Sequence, residues 1–364
     1  MSDYITFVLP THNEEKNIIS LIREILSLNT KFQIEIIVVD DNSDDKTQIL
    51  VRELSKTESR LRLINRVGRY GLSSAICEGC LNSTGEIIAV MDSDGQHEVK
   101  SVYKSILYLL DSDNDLVIGS RFKKGSSIIG LSKKRERVSN FANSFARLTL
   151  SNNYKHLSDF MSGCITFKRN NCLNYIKKID VSGFKFLYEL LSISKGRLKV
   201  DEIPLNFQLR KYGYSKLDYA VIWDFFISAF HTVLKRIIPR RAISFGLVGS
   251  TGILVHLFVV YFLLSITKLT FIQVLPFAGV SAASSNFLIN NLLTFRNARL
   301  EGIELFGGLL KFLLVSSIPL LANVGLASSF YQYVTPNKFL SQMAGIVVVF
   351  IWNYAASSKF VWKE

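Results

Sequence analysis

Residues 90–98, VMDSDGQHE, continue an apolar run (Ile87, Ile88, Ala89) that carries two carboxylates, Asp92 and Asp94, straight into a turn at Gly95. A short apolar run closed by turn residues reads as a buried strand, so residues 86–94 form a strand with an acidic carboxyl end. Two like charges two residues apart disfavour each other's ionised form unless something positive lies between them. Gln96 and His97 add an amide and an imidazole to the same turn.

The pattern recurs upstream. YITFVLP (4–10) is an apolar run broken by Pro10, and the apolar spacing of NEEKNIISLIREILSL (13–28) is helical, with Asn13 as its expected cap. IEIIVVDDNSDD (34–45) is a second buried strand ending in acids. A helix over 46–56, a strand at LRLINR (61–66) and a helix over 71–82 lead back to the opening strand. Strands alternating with helices predict a parallel sheet covered on both faces. Ligands of such sheets bind outside the carboxyl ends of the strands, and three ends here carry Pro10-Thr11-His12-Asn13-Glu14, Asp40-Asp41 and Asp92-Ser93-Asp94. One acidic end reads as a solvated loop; acids on several ends favour a site for a divalent cation, Mg²⁺ or Mn²⁺, carrying a nucleoside diphosphate.

The chain changes character near residue 240. Of its 43 Lys/Arg and 30 Asp/Glu, only eight and three lie from residue 241 onward. Between Arg241 and Lys268 lie 26 residues without a charge, and the gaps Lys268–Arg296, Lys311–Lys338 and Lys338–Lys359 hold 27, 26 and 20. About 20 apolar residues cross a roughly 30 Å hydrocarbon core, so four spans are predicted, at about 242–266, 270–294, 308–333 and 339–360. Lys235, Arg236, Arg240, Arg241, Arg296, Arg299, Lys311, Lys359 and Lys363 fall on one side, against Lys268 and Lys338 on the other. The basic side is expected to be cytoplasmic, together with the N-terminal domain and both termini. MSDYITFVLP lacks the features of a signal peptide. The glycines at 246, 249 and 252 predict close helix packing, as in a homodimer, and the asparagines at 286, 290, 291, 323 and 353 read as helix-joining hydrogen bonders or as part of a transport path.

Two further stretches carry two readings each. RFKKGSSIIGLSKKRER (121–137) holds seven Lys/Arg and one acid, divided between anionic ligands and lipid headgroups; a nucleic acid partner is disfavoured in a chain that enters a membrane. Residues 217–238 are aromatic with a basic end, as interfacial helices are, or pack on the first domain, with His231 a packing residue. The four cysteines (77, 80, 164, 172) lack paired zinc spacing and read as reduced, buried thiols.

With these residues in hand the chain resembles the family 2 inverting glycosyltransferases of the GT-A fold, an α/β, Rossmann-like, mostly parallel sheet. FVLPTHNEEKNI, VVDDNSDDKT and VMDSDGQH are similar to that family's sugar-nucleotide signatures. GLSSAICEG, VIGSRF, MSGCITFKR, GFKFLYELL and LRKYGYSKL follow the order found in its dolichyl-phosphate mannose synthase branch. The tail resembles a GtrA-like membrane domain. The resemblance implies a catalytic domain over 1–216, interfacial amphipathic helices over 217–240 and a transmembrane domain over 241–364. It implies Pro10, His12, Glu14, Val39, Asp41, Asp92 and Ser93 at the nucleotide, Asp94 and Gln96 at the metal, and Arg121 near the donor. Lys185, Arg210 and Lys216 would close over the phosphates, and Arg135 and Ser139 would meet the acceptor phosphate, with Asp94, Arg121 and Arg135 the catalytic set. His12 stands where tyrosine is usual, Ser93-Asp94-Gly95 replaces Ala-Asp-Leu, and Arg137 competes with Arg135 for the acceptor.

The chemistry implied is mannose transfer from GDP-mannose to dolichyl (polyprenyl) phosphate for glycan assembly. A phosphate monoester with a second pKa of about 6 is already largely dianionic at neutral pH, so such an acceptor needs cations more than a general base. The rival readings are a UDP-glucose enzyme of the same chemistry, a processive synthase (its Gln-x-x-Arg-Trp motif is missing), and a lipid-linked sugar flippase or membrane scaffold with a vestigial head.

Overall fold

The computed structural model describes residues 4–28, 32–67, 71–129, 133–180, 185–210, 219–334 and 337–363. The chain divides into two compact units, residues 1–233 and 234–364.

The first unit opens with β1 (Tyr4–Thr11), α1 (Ile18–Leu26), β2 (Gln33–Asp40), α2 (Thr47–Ser55), β3 (Leu61–Asn65), α3 (Leu72–Asn82) and β4 (Ile87–Val90). It continues through α4 (Val99–Asp111), β5 (Leu116–Ser120), β6 (Ser127–Ile128), α5 (Lys133–Thr149) and β7 (Ile165–Lys168). The last elements are α6 (Arg169–Ile176), α7 (Phe186–Ser194), β8 (Val200–Pro204), β9 (Asn206–Phe207) and α8 (Tyr219–Val233). Seven strands form one sheet in the order β3-β2-β1-β4-β7-β5-β8. All neighbours are parallel except β7, which runs antiparallel between β4 and β5; β6 and β9 pair separately.

Helices cover both faces, so the central strands are apolar without alternation. Val8, Val39 and Ile88 face one core, and Phe7, Leu9 and Ile36 face the other. The helix α3 lies directly on the sheet because Gly79 has no side chain: a Cβ there would sit 2.4 Å from Val8 Cγ1. The expected Asn13 cap does not form. Asn13 adopts φ 58, a left-handed conformation that cannot start a right-handed helix, and α1 begins five residues later, after a turn in which Glu14 C=O accepts from Asn17 N–H and Ile18 N–H. The aromatic face of α8 packs on the first unit, with Phe225 edge-on to Phe145 and Tyr188 and His231 buried. All four cysteines are free and buried.

The second unit consists of α9 (Arg240–Ile266), α10 (Phe271–Leu292), α11 (Gly302–Tyr333) and α12 (Lys338–Ala356), the last running into a π-helical turn at Ser357–Val361. Among the described residues three helical stretches are long and apolar enough to cross a membrane: Arg240–Ile266, Phe271–Leu292 and Ala344–Val361. The fourth expected span, 308–333, falls on α11, where the side chains of 318–328 lie outside the described residues. Two of the three helix-packing glycines act within the chain: a Cβ on Gly252 would meet the Asn286 amide at 2.5 Å, and one on Gly246 would meet Phe350 at 3.1 Å.

Gly79→Val should destabilise the first unit by about 1–3 kcal/mol, the range for overfilling a packed core. Urea unfolding of the detergent-solubilised protein, followed by circular dichroism, measures it; Gly71→Val, which meets nothing within 4 Å but has φ 114, should register only backbone strain.

Candidate active site

The carboxyl ends of β1, β2 and β4 meet as the topology requires, and each acid there has a distinct task. Asp40 is buried and tied to its own loop, accepting from Ser43 N–H (2.9 Å), Ser43 Oγ (2.6 Å) and Gln48 Nε2 (2.7 Å). Asp41 accepts from Arg66 Nη1 at 2.6 Å and from Gly71 N–H at 2.7 Å. Arg66 is fully buried and also pairs with Glu78 at 3.2 Å. Ser93 donates to Pro10 C=O at 2.8 Å and lies 2.8 Å from Thr11 Oγ1, which fastens the end of β4 to the end of β1.

Beside these ends lies a cavity of ≈ 180 Å³ lined by Asp92, Asp94, Gln96, Arg121, Arg135 and Lys185, among others. Asp94 is only 8% exposed; burial pushes its carboxyl up, the neighbouring Asp92 charge adds to this, and His97, the Gln96 N–H and Arg210 oppose it. Arg210 bridges the acids, with Nη2 3.1 Å from Asp94 Oδ2 and 3.2 Å from Glu14 Oε1. Gln96 is fixed by its Nε2–H donating to Gln208 C=O at 3.2 Å. Asp92 N–H donates to His97 Nδ1 at 3.0 Å, which leaves the imidazole proton on Nε2. Gly163 backs Asp92 so closely that a Cβ would lie 2.7 Å from Asp92 Oδ2.

The cationic wall is equally constrained. Arg121 donates through Nε (2.7 Å) and Nη2 (2.8 Å) to the two oxygens of Asp159. Asp159 is fully buried; against the cost of burial, Arg121 holds its carboxyl below the ordinary range. Glu202 in turn accepts from the Ser158 and Asp159 N–H groups at 2.8 and 2.9 Å. Burial and the Arg121 charge push Lys185 down to about 8, with Asp92 and Asp159 opposing. Burial also lowers Arg135, with Arg121 and Arg210 adding to the effect.

A second cavity of ≈ 100 Å³ lies behind this wall. Its lining joins Arg121, Arg135 and Lys185 to apolar side chains, Phe141 and Ala142 of α5 and Ile222 and Phe225 of α8 among them, and to Ser139. Arg137 is exposed and lines neither cavity.

The structure thus brings together Glu14, Asp92, Asp94, Gln96, Arg121, Arg135, Ser139, Lys185 and Arg210. Pro10 and Ser93 act as the β1–β4 fastening, half-buried His12 sits in the loop beyond β1, and Asp41 is held by Arg66. The Val39 side chain is fully buried in the core against α3, at the last residue but one of β2. Lys216 lies outside the described residues. Sequence reading missed Asp159, Arg66 and Gly163, each of which acts through a contact with a residue distant in sequence. The acids fit a divalent cation, because two repelling carboxylates, one of them buried, gain from it. Among the described residues no group of three His, Cys, Asp or Glu side chains could hold a metal ion alone, as suits a cation completed by substrate phosphates.

A mostly parallel sheet with acids at its strand ends, backed by a cationic wall, defines a glycosyltransferase of the GT-A type. The profile of "Glycosyl transferase family 2" matches residues 6–176, and that of "GtrA/DPMS, transmembrane domain" matches 244–362. A "Dolichol-phosphate mannosyltransferase" of Pyrococcus furiosus is 28% identical over 98% of this chain and 99% of its own length. One of Mycosarcoma maydis is 32% identical over 62% of this chain and 72% of its own. A "Polyprenol monophosphomannose synthase" of Mycolicibacterium smegmatis is 29% identical over 58% and 79%. The chain belongs to glycosyl transferase family 2, in its dolichol-phosphate mannosyltransferase branch.

Two outcomes follow from this geometry. Gly163→Ala must displace Asp92, so turnover should fall at least tenfold while thermal unfolding stays near wild type. Lys185, charged below about 8 and neutral above, should make nucleoside diphosphate affinity decline as pH rises through that value. Lys185→Arg, which keeps its charge, should flatten the decline in titrations from pH 6.5 to 9.5.

Proposed function

We propose that the protein transfers mannose from GDP-mannose to dolichyl or polyprenyl phosphate, with inversion at the anomeric carbon. One observation carries this reading: Arg121, Arg135 and Lys185 border both cavities, the acidic one and the apolar one. A sugar nucleotide and a lipid phosphate are both anions, and a shared cationic wall is what holds two anions against each other. The apolar side chains of α5 and α8 suit a prenyl chain, and the names of the relatives and the membrane domain point the same way.

In this reading Pro10, His12, Glu14, Val39, Asp41, Asp92 and Ser93 hold the nucleotide, with Lys185, Arg210 and Lys216 at its phosphates. Asp94 and Gln96, beside Asp92, would hold Mg²⁺ or Mn²⁺, which when bound supplies positive charge for a departing diphosphate. Arg135 and Ser139 receive the acceptor phosphate. An acceptor oxygen forms its bond to the anomeric carbon while the bond to the diphosphate oxygen breaks, and the electron pair leaves with GDP. No proton has to be removed from a phosphate already ionised, so the chain's contribution is positioning and charge. Arg121, held in place by Asp159, keeps its orientation as charge moves. The basic flanks of the membrane helices support placing the catalytic unit and both termini on the cytoplasmic side.

The decisive experiment incubates purified protein, polyprenyl phosphate and Mn²⁺ with GDP-mannose, UDP-glucose and other nucleotide sugars, and identifies the glycolipid by mass. A mannolipid from GDP-mannose is expected; a glucolipid from UDP-glucose would replace the donor. Chelator should abolish turnover and either Mg²⁺ or Mn²⁺ should restore it. Arg135→Ala should weaken lipid phosphate by about 1.5–3 kcal/mol, the worth of a hydrogen bond to a charged group, with donor affinity little changed. Arg137→Ala should leave both constants near wild type.

A further inference from the structure

Residues 205–210 bind both walls of the crevice at once. Leu205 N–H donates to Ser120 C=O at 2.9 Å, next to the root of Arg121. Phe207 forms an antiparallel bridge with His97, and Gln208 N–H donates to Gln96 C=O at 2.8 Å. Gln96 Nε2–H returns a bond to Gln208 C=O at 3.2 Å, and Asn206 Nδ2–H donates to Glu98 Oε2, also at 3.2 Å. Four contacts thus stitch this segment to the turn that carries Asp94, and its backbone is fixed relative to that turn.

The Phe207 side chain uses this anchorage. It is buried and lines the acidic cavity. Its ring centroid lies 5.7 Å from that of His97, inclined at 59°, and 5.6 Å from Arg121 Cζ. A guanidinium within about 6 Å of a ring centroid is attracted by the negative ring face, more strongly where water is excluded. The two bonds from Arg121 to Asp159 lie in the guanidinium plane and grip it by one edge, which leaves the plane free to tilt about that edge. A ring against its face removes the tilt. Phe122 also lies 5.5 Å from the guanidinium, but as the next residue along the chain it cannot fix Arg121 relative to another element. Without a stop, the guanidinium would be drawn across the cavity to the opposite charge of Asp92.

We propose that Phe207 is a positioning residue of the transfer reaction. Anchored through its backbone to the turn that carries Asp94, its ring fixes the tilt of the Arg121 guanidinium and with it the separation of that cation from the acids. The proposal rests on the reading above for the place of Arg121 beside the departing diphosphate. A cation aimed in advance needs no reorganisation as negative charge builds there, so the ring matters more to the rate than to binding of the donor.

The test replaces Phe207 in the full-length, detergent-solubilised protein with mono-, di- and trifluorophenylalanine by nonsense suppression. Fluorine drains the negative ring face while leaving the shape of the side chain nearly unchanged, so a merely structural phenylalanine does not register the series. With polyprenyl phosphate, Mn²⁺ and whichever nucleotide sugar the donor panel identifies, kcat should fall stepwise. The loss should reach about tenfold at the trifluoro ring, with KM for the donor within about threefold of wild type. Phe207→Leu, which keeps apolar bulk but has no ring, should fall at least as far. In an Arg121→Met background the series should be flat, because the cation is gone. Calorimetric titration with Mn²⁺ and the nucleoside diphosphate of that donor reads the same contact without turnover. Affinity for this product, which carries the full charge of the departed group, should decline along the series with kcat. A flat series in either measurement, or a decline that survives in Arg121→Met, would overturn the proposal. A panel that gives no mannolipid from GDP-mannose would count against the donor assignment alone, since the series is read on the donor that is turned over.

Discussion

Carboxylates and cations share one half-buried crevice in the first unit, and they would neutralise one another if their positions were not fixed from behind. Arg121 illustrates the constraint. Its guanidinium is held at both ends by Asp159, which is itself buried and positioned by Glu202 through backbone hydrogen bonds. A buried ion pair of this kind is poor evidence of stability, since desolvation offsets its attraction. Its value lies in orientation: the cation stays at the wall of both cavities and Lys185, beside it, is pushed down towards neutral pH.

The acidic side is built by different means. Ser93 fastens two strand ends through hydrogen bonds to β1, and Gly163 leaves space into which the Asp92 carboxylate fits. Arg210 spans Glu14 and Asp94, so the loop after β9 carries positive charge to the mouth of the crevice. Each device sets a backbone first and a charged side chain second, which is how rigid elements place a site to within a fraction of an ångström.

The asparagines of the membrane unit look identical in sequence but differ in their partners. Asn291 joins α10 to the segment before α11 and to Trp362, which stacks on Phe295 at 4.1 Å between ring centroids. Asn286 Oδ1 and Asn353 Oδ1 are instead buried without a hydrogen-bond partner.

The mostly apolar runs at 4–10, 34–39 and 87–91, spaced by helical patterns, read as buried strands of a parallel sheet, and acids at their ends then lie at one edge of it; for that reason the fold, the crevice and its main acids were legible before any coordinates. The charge-free stretches after Arg241 announced a membrane domain in the same way, because hydrocarbon excludes charge whatever the tertiary structure. Local conformation set limits: Asn13 has the chemistry of a cap but the backbone of a turn. Arg135 and Arg137 were indistinguishable in sequence, and only the packing of α5 against α8 left one at the cavities and the other in solvent. Asp159, Arg66 and Gly163 are far in sequence from the groups they hold, and nothing local marks a residue whose role is a contact made by folding.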